Sequence, residues 1–304
     1  MPCGRGYGRL SQGKGLGEKF YQFAPRQMAA GRHNANSGRI KERYMKQYMV
    51  DAFTDKVFSG NPAAVCVLDR WPDDSLMKSI ALENNLSETA FVVKEPSGYH
   101  LRWFTPKDEI NLCGHATLAT AFVILNYYDK TADTVEFNTM SGRLTVTRKG
   151  DLYEMDFPTY EIKEVPVTDG MEKAFGVRPL KAFLSMDLIC VFGNDGEVRA
   201  MRPDQGLLEK LPGRIQNATS RGTSADCVTR SFAPKCGVAE DPVCGSAHCQ
   251  VADYWSKVLG KEDIVAYQAS ARGGTLYCHS AGNGRIKISG KAVLFAISEL
   301  QIGA

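Results

Sequence analysis

The sequence predicts an α+β fold of two pseudo-symmetric domains, each a curved, mostly antiparallel sheet wrapped around a central helix. Leu112-Cys113-Gly114-His115-Ala116 and Val243-Cys244-Gly245-Ser246-Ala247 look like copies of one another, each a Cys-Gly pair opening a segment able to form a helix. Upstream, Arg102-Trp103-Phe104-Thr105-Pro106-Lys107 recurs as Arg230-Ser231-Phe232-Ala233-Pro234-Lys235, an offset of 128 that grows to 131 at the cysteines. Around these landmarks, short apolar runs are joined by tight turns, which favours antiparallel pairing over a doubly wound sheet.

Residues 1–44 hold eight glycines, nine Lys/Arg and only Glu18 and Glu42 as acids, with little hydrophobic periodicity. They read as a poorly ordered extension: a translated leader, with Met45 as the true start, or a transit peptide that lacks a clear amphipathic helix. Gly13-Lys14-Gly15 is too short for a phosphate loop. The remainder divides into a first domain over 45–165 and a second over 166–304, the last strand being free to return to the first.

Strands are expected at Tyr48–Phe53 and Ala64–Leu68 around the Gly60-Asn61-Pro62 turn, followed by a helix capped near Asp73 with Leu76, Met77, Ile80 and Ala81 on one face. Further strands follow at Phe91–Val93, His100–Phe104, Thr134–Thr139, Arg143–Thr147 and Leu152–Phe157. The segment His115–Tyr128 is apolar nearly all round, so a helix there must be covered on every side. Its copy, Ala247–Leu259, carries Val251, Ala252, Trp255 and Leu259 at helical spacing. Strands near Ile264–Gln268, Thr275–His279, Arg285–Ser289 and Val293–Leu300 complete the chain.

The 304 residues are 43% hydrophobic and 10% aromatic, which is globular rather than disordered composition. The formal charge of +3 comes from the extension; beyond residue 44 there are 28 basic and 32 acidic residues, a net −4 that leaves no nucleic-acid footprint. Nine cysteines, an odd number, without an apolar signal core point to reduced thiols and a cytoplasmic location. The longest apolar stretch, Ala116–Leu125, is about half of what a bilayer requires, so no membrane partner is expected.

A helix N-terminus presents unpaired N–H groups and partial positive charge, and a glycine in its first turn lets a ligand approach the backbone. Two such termini facing one cleft would hold a carboxylate. A cysteine at the same place has its thiolate stabilised, so Cys113 and Cys244 form a candidate pair of bases. Racemisation next to a carboxylate needs two opposed groups, each about 3–3.5 Å from the carbon, which puts the sulfurs on the order of 7 Å apart.

Five ordered motifs then bear on identity: Val50-Asp51-Ala52-Phe53, Gly60-Asn61-Pro62-Ala63-Ala64-Val65, Leu86-Ser87-Glu88-Thr89-Ala90-Phe91, Cys113-Gly114-His115-Ala116-Thr117 and Glu240-Asp241-Pro242-Val243-Cys244-Gly245-Ser246-Ala247-His248. On these motifs the chain from about Gln47 to its end resembles the phenazine-biosynthesis PhzF-like family, a branch of the diaminopimelate epimerase-like superfamily. The resemblance implies two similar α+β domains with an active site between them and cofactor-free isomerisation. It implies that Glu88 moves the proton, that His115, Asp241 and Ser246 bind and orient the substrate, and that Gly114 and Gly245 offer N–H groups to its carboxylate. Asn61 joins the substrate-binding set, and a homodimer is expected on the same ground.

Glu88 serves only if burial lifts its pKa toward neutrality; on residue type alone it is a solvated carboxylate, Asp241 a turn former, His115 a core histidine and Ser246 a helix-start residue. Cysteine stands at both positions that carry the catalytic thiols in diaminopimelate epimerase and proline racemase, so a two-thiol racemase using Cys113 and Cys244 is the alternative. The intact Leu-Ser-Glu-Thr motif favours Glu88. A metal site from Cys113, His115, Cys244 and His248 has the wrong spacing for structural zinc, and no metal is expected. A binding protein that keeps the fold without catalysis is the reading from another class. The expectation is therefore a cytoplasmic, cofactor-independent isomerase of a small carboxylated metabolite.

Overall fold

In the computed structural model, which describes residues 44–302, strand pairing runs through one series twice. Tyr44–Ala52 is antiparallel to Asn61–Leu68, which is parallel to Thr89–Glu95, itself antiparallel to Gly98–Phe104. Gly98–Phe104 lies parallel to Thr134–Thr139, and antiparallel Gly142–Lys149 and Leu152–Pro158 follow. The same alternation recurs through Lys181–Leu184, Leu188–Val191, Gln216–Arg221, Cys227–Ala233, Asp263–Gln268, Gly274–Ser280 and Arg285–Gly290. The fold is thus α+β and pseudo-symmetric, with most strand pairs antiparallel.

Equivalent strands join the halves: Leu152–Pro158 pairs with Arg285–Gly290, Met155 lying opposite Ile288. The strand that ends each half crosses to the other. Ala292–Gln301 pairs with Tyr44–Ala52, and Lys163–Val165 pairs with Lys181–Leu184.

The duplicated hexad performs the same task twice. Arg102 donates from Nε and Nη2 to both carboxylate oxygens of Glu109 at 2.7 Å, and Arg230 does so to Glu240 at 2.8 Å. Each fork ties the hexad strand to the chain leading into a Cys-Gly pair, a geometry that fixes direction as well as distance.

Each half encloses one central helix. Gly114–Val123 buries Ala116, Leu118, Ala119, Ala121 and Val123 completely, as its all-round apolar pattern requires. The expected helix to Tyr128 changes character at Ile124, where a π-helical turn runs to Tyr128. Asp129 N–H bonds the Ile124 carbonyl at 2.7 Å, and the Asn126 side chain donates to the Phe122 carbonyl at 2.7 Å. A side chain competing for the helical ladder opens the turn in this way. The second helix, Gly245–Leu259, places Val251, Ala252 and Trp255 in the same core.

Sequence periodicity located the strands up to Pro158, apart from the two-residue Glu109–Ile110, and those after Ile264, but missed much between them, including the short helices Asp169–Phe175, Asp195–Ala200 and Gln205–Leu208. Their apolar side chains build a separate core with Phe175, Phe192 and Phe232. The expected extension of residues 1–44 lies outside the described residues, except that Tyr44 opens the first strand. Among the described residues all eight cysteines are free, and no helix is long and apolar enough to cross a membrane.

Candidate active site

Thr168, Asn194 and Asp204 cap the three short helices with side-chain oxygens. The two central helices differ: Cys113 and Cys244 stand at their N-caps and make no side-chain capping bond, which leaves first-turn N–H groups available. Neither Gly114 nor Gly245 has a positive φ. A Cβ at Gly114 would meet nothing within 4 Å, and one at Gly245 only the Phe53 ring at 3.8 Å. The protein's own packing therefore does not demand glycine at either place, and each first turn has room for an added methyl group.

Glu88 precedes the strand Thr89–Glu95 and reaches the first of these helix starts. Its Oε2 lies 3.2 Å from Nε2 of His115, with the two side chains 16% and 7% exposed, and neither atom has an aligned hydrogen-bond partner. Burial, and secondarily the charge of Asp241, raises the Glu88 pKa to about 7, although the Cys113 thiol beside it pulls slightly the other way. Burial lowers that of His115 to about 4, so the imidazole is neutral near pH 7.

Asn61 links the halves. Its amide nitrogen faces the Val243 carbonyl at 3.0 Å, Asp241 Oδ1 at 2.9 Å and His115 Nδ1 at 3.2 Å. A carbonyl can only accept, so the nitrogen end must point this way, and His115 Nδ1 meets a donor. The imidazole proton then sits on Nε2, facing Glu88. The turn that presents Asn61 is set by Gly60, whose φ is +66° and where a Cβ would strike the Ala52 carbonyl oxygen. Asp241 accepts from Val243 N–H at 3.1 Å, and burial raises its pKa to about 6 despite the nearby Arg214.

The thiols flank this group. Cys113 Sγ lies 3.5 Å from His115 Nδ1, and Cys244 Sγ lies 3.5 Å from Ser246 Oγ. Their pKa values move opposite to the direction expected from a helix N-terminus. Burial raises both well above the ordinary thiol value, and the carboxylates add to it, Glu88 chiefly at Cys113 and Asp241 at Cys244. Desolvation of a thiolate outweighs a partial charge at the helix start.

The four-residue metal set does not assemble among the described residues. Ligand atoms of Glu88, Cys113 and His115 lie within 4.8 Å of one another and could hold an ion, but Cys244 and His248 are outside that group. His248 Nδ1 is 2.7 Å from the Cys244 carbonyl, as Thr117 Oγ1 is bonded to the Cys113 carbonyl one repeat earlier. His248 is thus committed to its own helix.

Sequence reading missed Arg214. Its Nη2 donates to Ser246 Oγ at 3.0 Å and its Nε to Asp187 at 3.3 Å. The signal lies in strand register and not in the sequence repeat: Thr89 pairs with Phe104 and Gln216 with Phe232, which places Ser87-Glu88 opposite Arg214-Ile215 in the duplicated scheme.

The pattern of the family described as phenazine biosynthesis-like protein matches residues 50–297. The chain belongs to that family. An uncharacterized isomerase of Pseudomonas aeruginosa is 46% identical over 256 residues, 84% of this chain and 98% of the relative. A PhzF-family phenazine biosynthesis protein of Enterococcus faecalis has a solved structure with 47% identity and a TM-score of 0.83, over 84% of this chain and 99% of that one. A hydroxyproline epimerase of Agrobacterium vitis, 10% identical, has a TM-score of 0.55 over 85% of this chain and 93% of its own, which extends the likeness of fold to epimerases. Within the phenazine biosynthesis-like family this chain carries Glu88, His115, Asn61 and Asp241 as one contiguous group.

Proposed function

We propose that the protein is an isomerase that moves a proton at a carbon near the carboxylate of a small metabolite, with Glu88 as the general acid/base. The class is supported by relatives named isomerases. The observation that carries the mechanism is the placement of the Glu88 carboxylate, its Oε2 buried and 3.2 Å from the Nε2 of His115, where desolvation pushes its pKa up to about 7. A group poised near neutrality can both take and return a proton.

Ionised Glu88 takes the proton from a C–H conjugated to the substrate carboxyl or carbonyl, and the electron pair of that bond delocalises into it. The proton returns at another carbon from the protonated Glu88, while the neutral His115 donates its Nε2–H as a hydrogen bond and keeps its proton. N–H groups at Gly114 and Gly245 stabilise the charge that develops, where a preorganised donor counts most. Asp241 and Asn61 hold His115 in the required tautomer and orientation.

The same reading makes the protein a cytoplasmic homodimer that works without a cofactor. Sedimentation analysis and turnover by dialysed, chelator-treated protein test the last two points. The reaction is tested by incubating a panel of small unsaturated, hydroxy and amino carboxylates with the protein in D2O and following carbon-bound proton signals by NMR. Protein-dependent exchange that disappears in Glu88→Gln supports the mechanism, and exchange that survives in that variant refutes it.

A further inference from the structure

We propose that Arg214 is the anion-recognising residue of the site, gripping a substrate carboxylate against Ser246 and the first turn of the helix Gly245–Leu259. This rests on reading the cleft as an isomerase site and assigns its two walls different work.

Scaffold duplication carries the argument. The strand register makes Ile215 the counterpart of Glu88, and the Cys-Gly repeat makes Ser246 the counterpart of His115 and Ile110 that of Asp241. In one half the pair at the helix start is Glu88 with His115, 3.2 Å apart. In the other half the acid is replaced by buried Ile215, and the residue before it, Arg214, reaches Ser246 at 3.0 Å. One wall therefore handles a proton and the other presents a guanidinium, paired through Nε with Asp187 and, among the described residues, open at Nη1.

Arg214 is held for this task rather than left as a solvated surface group. Its Nε donates to Asp187, a carboxylate with no exposure, which also accepts from Gln250 Nε2 at 3.0 Å and from Ile215 N–H at 3.3 Å. Its backbone N–H bonds the Met186 carbonyl at 2.9 Å, and Lys235 Nζ and Gln216 Nε2 clasp the Gly213 carbonyl at 2.8 and 3.1 Å. Gly213 has φ +81°, and a Cβ there would strike the Leu188 backbone, so the bend that aims Arg214 requires glycine. The Arg214 side chain nevertheless remains 44% exposed, with Nη1 free of any protein partner among the described residues.

The charge inventory points the same way. Glu88 and Asp241 are acids, His115 is neutral near pH 7, and Asn61, Ser246 and the two raised thiols bring no positive charge. An anionic substrate entering between two carboxyl groups needs a cation, and a guanidinium with free N–H groups beside Ser246 and the Gly245 backbone supplies one with directional donors. Holding the carboxylate on this wall turns the reacting carbon toward Glu88.

The test is titration of the full chain, isotope-labelled for NMR, with benzoate and with its uncharged isostere benzamide. Benzoate is expected to shift the Gly245 and Ser246 amide signals saturably, and benzamide to bind at least tenfold more weakly. Arg214→Met and Arg214→Gln are both expected to weaken benzoate at least tenfold, with well-dispersed spectra showing that they fold. Unchanged benzoate affinity in either folded variant, equal binding of benzamide, or no saturable shift at those two amides overturns the assignment. Glu88→Gln is expected to retain benzoate binding while losing proton exchange, so the anion site and the proposed reaction can fail separately.

Discussion

Glu88 Oε2 and His115 Nε2 lie 3.2 Å apart, both buried and both without an aligned hydrogen-bond partner. Orphaned polar atoms inside a protein cost on the order of 1–3 kcal/mol each, so the fold gains little from holding this pair together. Removing the carboxylate should therefore harm chemistry more than folding. Glu88→Gln is expected to lower the exchange rate by about 10²–10⁴-fold, and Cys113→Ser by less than about tenfold, because the thiol flanks the carboxyl without carrying the proton. Equal losses in the two variants would show that the wrong base set has been chosen.

The pH dependence follows from the same carboxyl. With a Glu88 pKa of about 7, exchange at low substrate should rise with pH up to about 7 and level off above it. Asp241 is the second cause of the upward shift, so Asp241→Asn should move the midpoint down even where it also slows the reaction. A midpoint that stays fixed or rises in that variant would count against the coupling.

Stability should respond with a definite sign. Glu88 is raised from 4.5 to about 7 on folding, so its contribution is fully present below 4.5 and is lost as pH rises through 7. His115, lowered from 6.5 to about 4, acts the other way: its contribution is present above 6.5 and is lost as pH falls through 4. The histidine is common to both proteins, so comparing wild type with Glu88→Gln isolates the glutamate. Relative to wild type, the variant should gain up to about 3 kcal/mol between pH 4 and pH 8, measured by urea denaturation at both pH values. A pH-independent difference would mean that Glu88 is not perturbed by burial.

How far the sequence revealed this site depended on which physics was local. Strands such as Thr134–Thr139 and the two central helices are written in short-range periodicity and in the Cys-Gly repeat, so they were legible. The direction of the Cys113 pKa was not, because desolvation depends on everything packed around the sulfur whereas the helix terminus is visible in the sequence. Arg214 escaped for a related reason. It lies far from Ser246 in the chain, and only strand register makes Arg214-Ile215 the counterpart of Ser87-Glu88. Glu88, Asn61 and Asp241 were found through a family resemblance; their separation along the chain gave no local cue to the contacts they make.

The thiols provide a test that needs no substrate. Cys113 and Cys244 are buried and raised well above the ordinary value, while Cys236 is exposed. Alkylation by iodoacetamide at pH 8, followed by peptide mass spectrometry, should label Cys236 at least tenfold faster than either of them. Fast labelling of Cys113 and Cys244 with midpoints below 8.5 would instead bring the two-thiol racemase forward.

The glycines at the helix starts separate ligand binding from folding more cleanly than any charged residue. A Cβ at Gly114 meets no atom within 4 Å, and at Gly245 only an ordinary contact with Phe53. Neither backbone has a positive φ, so alanine meets no conformational penalty and reduces the entropy of the unfolded chain. Gly114→Ala and Gly245→Ala should thus leave stability unchanged or raise it by up to about 1 kcal/mol. Each added methyl group nevertheless occupies the space beside a first turn whose N–H groups have no oxygen cap from Cys113 or Cys244. Activity should therefore fall at least tenfold in both thermally intact variants, and benzoate binding at least tenfold in Gly245→Ala. Retention of both in the alanine variants would mean that the substrate does not approach the helix termini, and the carboxylate would have to be placed elsewhere.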